Sequence, residues 1–354
     1  MSDAELIQVL DPEGCIVDNE AVKGISEEEM QRMYRLMVFT RLWNTKALSL
    51  QRQGRMGTLA SVRGQEAANV GMGFALAKCD WFVPAFREYG AMFARGVIPK
   101  VLFTYWGGDS RGARPPDDSR VLPVCITVGS HLLHAVGIAW GAKIRKEKIA
   151  VLSSSGDGST SQGDFHEALN FAGVFKLPVV FAIQNNHWAI SVPLERQTAS
   201  KTLAEKACAY NINSARVDGN DVFAVYVTVK RLLDRARSDF KPALVELVTY
   251  RMDDHTTADY ASRYRTEEML APWRAKDPID RLRKYLTAKH GWDEKKDQSL
   301  LDELSAEVEK AVEDFEATPH PEPQQMFENL YEKLPWHLEE QKASLLQHLG
   351  RSER

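Results

Sequence analysis

The segment SGDGSTSQGDFHE, residues 155–167, sets one carboxylate, Asp157, between Gly156 and Gly158, follows it with hydroxyls, and leads into an apolar periodic stretch. Three readings are open. Gly-Asp-Gly is a favoured tight turn, but glycines ahead of a helix also suit a nucleotide-phosphate loop or a metal–diphosphate site, because free N–H groups there face an anion. Mg²⁺ takes hard oxygen ligands, commonly one or two carboxylates completed by phosphate oxygens. The triplet alone does not separate these readings. The run PVVFAIQNN, residues 178–186, adds a second signal, because Asn186 follows Asp157 by 29 residues, about one α–β unit. That spacing places an amide oxygen at the end of the neighbouring strand, so two oxygen ligands flank one cation. A nucleotide loop would also need a lysine after the glycine turn, and none is there.

Positioning such a site calls for strands that end side by side. Past the loop WGGDSRGARPPDDSR, strand-like runs (VCITV, KIAVLSS, PVVFAIQNN, SARVDG, ALVELVTYR) alternate with helical ones (HAVGIAWGAKIRK, DFHEALNFAGVF, NDVFAVYVTVKRLLDRARSDF). The alternation predicts an α/β fold, a parallel sheet with helices on both faces and its ligand beyond the carboxyl ends of the strands. Ser26 with Glu29 forms a capping box that opens a long amphipathic helix closing on Gly54. RGQEAANVGMGFAL reads as a helix of small residues suited to close packing.

Three divisions are expected: residues 1–25 as a loose acidic N-terminus, 26–266 as the α/β domain with its N-terminal helix, and 267–354 as a C-terminal helical extension.

Bulk composition narrows the partners. The chain has 354 residues, 44% of them apolar, with 45 Lys and Arg against 49 Asp and Glu. No basic excess suggests nucleic acid or an anionic membrane, so a bound anion must be met locally. Cys15, Cys79, Cys125 and Cys208 have no CxxC spacing and read as reduced thiols rather than as a zinc or redox site. The first 25 residues carry six acids and one lysine, unlike an Arg-rich transit peptide, and no apolar run is long enough to span a bilayer. A cytoplasmic protein of bacterial type is expected. His131 and His134 read as core or interface residues for want of a third ligand, and His166 with Glu167 as helix surface or subunit contact.

GDG, 26 residues, then NN resembles the thiamine diphosphate motif, and GDGSTSQGDFHEALNFAGVFKLPVVFAIQNNHWAIS resembles the alpha subunit of the decarboxylating component of 2-oxo acid dehydrogenase complexes. QRQGRMGTLASVRGQEAANVG, PAFREYG, RVDGNDVFAVY, TYRMDDHTTADYASRYR and KDPIDRLRKYL resemble family segments in family order, covering the chain from about residue 30.

The resemblance implies a thiamine diphosphate-binding fold and a set of site residues. Asp157, Asn186 and the main-chain carbonyl of Trp188 would hold Mg²⁺. Gly156, Gly158 and Ser159 would line the diphosphate, and Arg87 would pair with it. Phe86 stands where the family often has Tyr, which removes a hydroxyl contact. Ile126 and Val128 match positions beside the pyrimidine. His255 matches a loop histidine near the reacting carbon, a candidate for binding the substrate carboxylate or assisting acyl transfer. Thr256 falls where animal relatives carry a regulatory serine.

The implied activity is oxidative decarboxylation of a small 2-oxo acid with acyl transfer to a lipoyl group. The implied partners are a beta subunit, in an α₂β₂ tetramer, and a lipoyl-bearing acyltransferase. Pyruvate is the expected substrate. A branched-chain 2-oxo acid is the alternative that RVDGNDVFAVY and the C-terminal helices favour, and acetoin dehydrogenase is a third relative. From a different class, a noncatalytic scaffold would have kept the fold without the chemistry.

Overall fold

Short runs rich in Val, Leu, Ile and Ala become the strands β1 (Leu6–Ile7), β2 (Trp81–Val83), β3 (Val151–Gly156), β4 (Val179–Asn185), β5 (Trp188–Ala189), β6 (Val192–Pro193), β7 (Asn213–Asp218) and β8 (Ala243–Val248). This is a computed structural model, and it describes residues 5–352. Six strands form one sheet in the order β1-β7-β8-β4-β3-β2, with every pair parallel, while β5 and β6 make a small antiparallel hairpin. β4 is buried along its whole length, as a central parallel strand covered on both faces must be. Its alternate residues Val179, Phe181 and Ile183 join Leu132, Ala139, Phe165 and Leu169 in one apolar cluster. Those last four come from the helices Ser130–Ile144 and Gly163–Phe175. The helix Val222–Asp239 contacts β4, β7 and β8 and also packs on the helix Glu66–Ala75.

Small residues set that last contact. A Cβ on Gly71 would come within 2.8 Å of Val225 Cβ, and, against the separate helix Tyr89–Ala94, one on Gly73 would come within 2.6 Å of Ala91 Cα. The long helix Glu27–Arg52 opens on the anticipated capping box: Glu29 N–H donates to Ser26 Oγ at 3.2 Å, and Ser26 N–H to Glu29 Oε2 at 2.8 Å. It ends before Gly54, whose φ of +73° suits a residue without a Cβ.

Two expectations are corrected. The acidic N-terminal segment is not loose from residue 5 onward; residues 1–4 lie outside the described residues. β1 pairs with β7, and the buried Val9 and Leu10 both donate backbone N–H groups to Asp221 Oδ2 at 2.7 Å. Burial of two apolar side chains and satisfaction of a buried carboxylate outweigh the acid-rich composition. VCITV is not a ladder strand either. Just before it Val121 makes one isolated bridge to Phe82 and Pro123 has no N–H to give, and within it Cys125 N–H goes to Ala85 O at 2.9 Å.

The chain divides into two compact units, one through Val312 and one from Glu313. The first takes in the helices Glu267–Arg274 and Pro278–His290, the latter packed on the long N-terminal helix, and Arg281 bridges to Asp218 at 2.9 Å. The second contains the helices Gln325–Glu328 and Trp336–Ser352, where Lys342 pairs with Glu328 at 3.2 Å. Among the described residues no helix is long and apolar enough to cross a membrane.

Candidate active site

Adjacent parallel strands deliver the two oxygen-bearing side chains. β3 and β4 stay in register from Val151↔Val179 to Gly156↔Gln184, so Asp157 and Asn186, each one residue past its strand, leave the same edge of the sheet. The backbone N–H of Asn186 donates to Asp157 Oδ1 at 3.4 Å. Asp157 is 1% exposed, and burial raises its pKa against the opposing hydrogen bond from Gln197 Nε2 to Oδ2 at 2.8 Å. Asn186 Oδ1 accepts the Trp188 N–H at 3.2 Å, and Asn186 Nδ2 donates to Gln65 Oε1 at 3.3 Å. Trp188 is buried, its indole N–H given to Tyr250 O–H at 2.9 Å.

A cleft of about 240 Å³ opens over this pair. Gly156, Asp157, Gly158 and Ser159 line one side, and Phe86, Arg87, Val128 and His255 another. A Cβ on Gly156 would meet no atom of the described residues within 4 Å, so the backbone here leaves room for a ligand, whereas at Gly158 it would press within 2.9 Å of Ala189 Cβ. Ser159 Oγ donates to Gly156 O at 2.7 Å and braces the turn. Ile126 is not brought to this cleft and stands 52% exposed, because VCITV lacks the strand alternation that would have aligned it with Val128.

The electrostatics are cationic. Arg87 is buried; its guanidinium donates to Ser61 O, and through Nη2 to His255 Nδ1 and His255 O, both at 3.3 Å. Arg251, fully buried, donates to the same imidazole nitrogen at 3.3 Å, to Ile190 O at 2.8 Å and to the Tyr264 hydroxyl at 2.6 Å. Among the described residues neither arginine makes an ion pair with a carboxylate. Burial, reinforced by the facing Arg251, lowers Arg87 to about 10. Burial and then the two guanidiniums push His255 down to about 3, so its ring is neutral, accepts at Nδ1 and carries its proton on Nε2. Two buried guanidiniums without a carboxylate ion pair, near the buried Asp157, suit a polyanion carrying its own cation.

The donor set is oxygen. No group of three His, Cys, Asp or Glu side chains that could hold a metal forms among the described residues. An ion at Asp157 and Asn186 would therefore draw its other ligands from main chain, ligand or water, which matches Mg²⁺.

A family profile described as dehydrogenase E1 component matches residues 34–324. This chain belongs to the dehydrogenase E1 component family. Among similar proteins, the pyruvate dehydrogenase E1 component subunit alpha of Acholeplasma laidlawii is 42% identical, covering 94% of this chain and 96% of its own length. The proteins of the same name from Bacillus subtilis (strain 168) and Staphylococcus aureus (strain Mu50 / ATCC 700699) are each 37% identical. They cover 94% and 95% of this chain, and 90% and 91% of their own lengths.

In and around the cleft of this E1-family chain stand residues that the sequence did not single out for the site. Arg251 lies just past β8, the strand beside β4, and its N–H donates to Asn186 O at 3.4 Å. A charged residue ending a third apolar run was the available signal. Glu88 lines the cleft, where burial raises it to about 6. His131 also lines it, donating from Nε2 to Ser154 O at 2.8 Å, with its pKa lowered mainly by burial. His166 is a surface partner of the Tyr210 hydroxyl at 2.7 Å. Gln65 and Gln197 had no motif to mark them.

Proposed function

We propose that this chain is the alpha subunit of a thiamine diphosphate- and Mg²⁺-dependent 2-oxo acid dehydrogenase, decarboxylating pyruvate and passing the acyl group to a lipoyl-bearing acyltransferase. The observation that carries the reading is the meeting of Asp157 and Asn186 at neighbouring strand ends, opposite two buried guanidiniums that lack carboxylate partners. The family membership and the relatives named pyruvate dehydrogenase support it.

Thiamine diphosphate, when bound, supplies the nucleophilic carbon and the electron sink that decarboxylation requires. The protein's part is to bind, orient and exclude water. Asp157 and Asn186 offer oxygen ligands to Mg²⁺, with the Trp188 carbonyl as a third. Arg87 and Arg251 meet diphosphate charge, and the open face of Gly156 lets a phosphate approach the backbone. His255 presents Nε2–H as a neutral donor, suited to a substrate carboxylate or a developing oxyanion rather than to acid catalysis.

The chain supplies the diphosphate half of the site, so the reading includes a beta subunit in an α₂β₂ tetramer. A cytoplasmic setting is proposed with it; the four cysteines are free thiols, as suits a reducing compartment. Initial rates on the reconstituted alpha–beta complex with pyruvate, 2-oxoisovalerate and acetoin test the function. Pyruvate should give the highest kcat/KM, and the alpha chain alone should be nearly inactive. A preference for the branched acid or for acetoin would replace the substrate, and full turnover by the alpha chain alone would refute the shared site. No turnover of any of the three by the complex would favour a scaffold.

A further inference from the structure

Two glutamines from distant parts of the chain, Gln65 buried and Gln197 half-buried, each grip one of the two candidate oxygen-ligand side chains. Gln197 Nε2 donates to Asp157 Oδ2 at 2.8 Å and to Val192 O at 3.0 Å. Gln65 Oε1 accepts from Asn186 Nδ2 at 3.3 Å. The chemistry fixes the orientation of all three amides. A carboxylate only accepts, so the Gln197 atom facing Asp157 is nitrogen. The Trp188 N–H needs an acceptor, so Asn186 turns its oxygen to Trp188 and its nitrogen to Gln65, and Gln65 must answer with oxygen.

The outward atom of each glutamine is buried without a partner. Among the described residues Gln65 Nε2 and Gln197 Oε1 have no hydrogen-bond partner, and Gln65 is wholly buried beside the cleft. Buried polar atoms are almost always satisfied, so an orphan next to an open cleft points to a missing partner. The two orphans differ in kind. Gln65 offers N–H donors, which suit a phosphate oxygen, and Gln197 offers an acceptor, which suits the hydrogen of a metal-bound water, a ligand that Mg²⁺ habitually keeps.

Gln197 also ties the site into a ring. It follows the hairpin of β5 and β6 that begins at Trp188, and its hydrogen bond returns that hairpin to Asp157 at the end of β3. Asn186 Oδ1 keeps a second lone pair after accepting from Trp188, and Gln65 holds it in that attitude.

We infer that Gln65 and Gln197 are positioning residues that preset Asn186 and Asp157 for a divalent cation and its bound diphosphate. The inference rests on the metal–diphosphate reading above. Outer partners of this kind change metal affinity by ~10–100-fold when removed.

The test is an electron paramagnetic resonance titration of Mn²⁺ into the reconstituted alpha–beta complex at saturating thiamine diphosphate. It compares wild type, Gln197→Met, Gln65→Met and Asp157→Ala, with a thermal melt of each. Gln197→Met and Gln65→Met should weaken Mn²⁺ binding by ~10-fold or more with the metal-free melting temperature unchanged, and activity should return to the wild-type kcat when Mg²⁺ is raised. Should either methionine variant melt early, the corresponding alanine variant replaces it. Wild-type Mn²⁺ affinity in both glutamine variants, with loss in Asp157→Ala, would overturn the inference alone. Wild-type affinity in Asp157→Ala would overturn the metal reading and the inference together.

Discussion

Asn186 donates its backbone N–H to the carboxylate of Asp157 across two adjacent parallel strand ends, at 3.4 Å. The contact orients Asp157 but leaves it costly, because burial raises its pKa and, among the described residues, the only side chain donating to it is neutral Gln197. Without cation the site is therefore under electrostatic load. Asp157→Asn should raise the melting temperature of the metal-free protein, while abolishing the rise that Mg²⁺ with thiamine diphosphate gives to wild type. Differential scanning calorimetry with and without both ligands checks the pair of signs. A lower metal-free melting temperature in the variant would contradict the account.

His255 provides a pH prediction. Its native pKa is about 3 against 6.5 unperturbed. The unfolded chain therefore binds a proton between those values that the native site refuses. Stability from this residue is fully present above pH 6.5 and is lost as pH falls toward 3. The stability difference between wild type and His255→Gln, from urea unfolding at several pH values, should shift in favour of the variant as pH drops across that window. A pH-independent difference would show that the imidazole titrates normally.

Arg251 is tied to the same nitrogen, and Arg251→Lys keeps a charge but loses the planar fork that reaches His255, Ile190 and Tyr264 at once. Thiamine diphosphate affinity should fall by roughly 10-fold, with faster proteolysis in residues 252–258. Isothermal titration and limited digestion read the two effects separately. Unchanged values in both would remove Arg251 from the site.

Asp221 anchors the N-terminal segment. It accepts from Val9 and Leu10 at 2.7 Å each, and caps its own helix through Phe223 at 3.0 Å and Ala224 at 3.1 Å. Asp221→Ala leaves buried N–H groups unpaired and should cost ~3 kcal/mol, seen as a lower urea midpoint and rapid hydrogen exchange in residues 6–10. Slow exchange there would show that β1 holds without the carboxylate.

The parts of this design that were legible in sequence were those with a period or a fixed spacing. Strand–helix alternation foretold the parallel sense of the sheet, and the interval from Asp157 to Asn186 foretold two oxygen-bearing side chains at one end of the sheet, because parallel neighbours end together. Ser26 and Glu29 marked their helix start through local chemistry. What stayed hidden depends on contacts between distant segments. Nothing near Asp221 announces Val9 and Leu10, and nothing in RGQEA says that Gln65 will face Asn186. VCITV misled because its apolar residues look like a ladder, while the hydrogen bonds that make a strand belong to its neighbours. Ile126 went astray with it.

The central claim is that Asp157 and Asn186 jointly hold a metal-bound diphosphate, and calorimetric titration of thiamine diphosphate into the alpha–beta complex with Mg²⁺ tests it most directly. The account predicts tight binding by wild type, and a loss of at least ~100-fold for Asp157→Ala and ~10-fold for Asn186→Ala. Equal heats and affinities in all three proteins would contradict it.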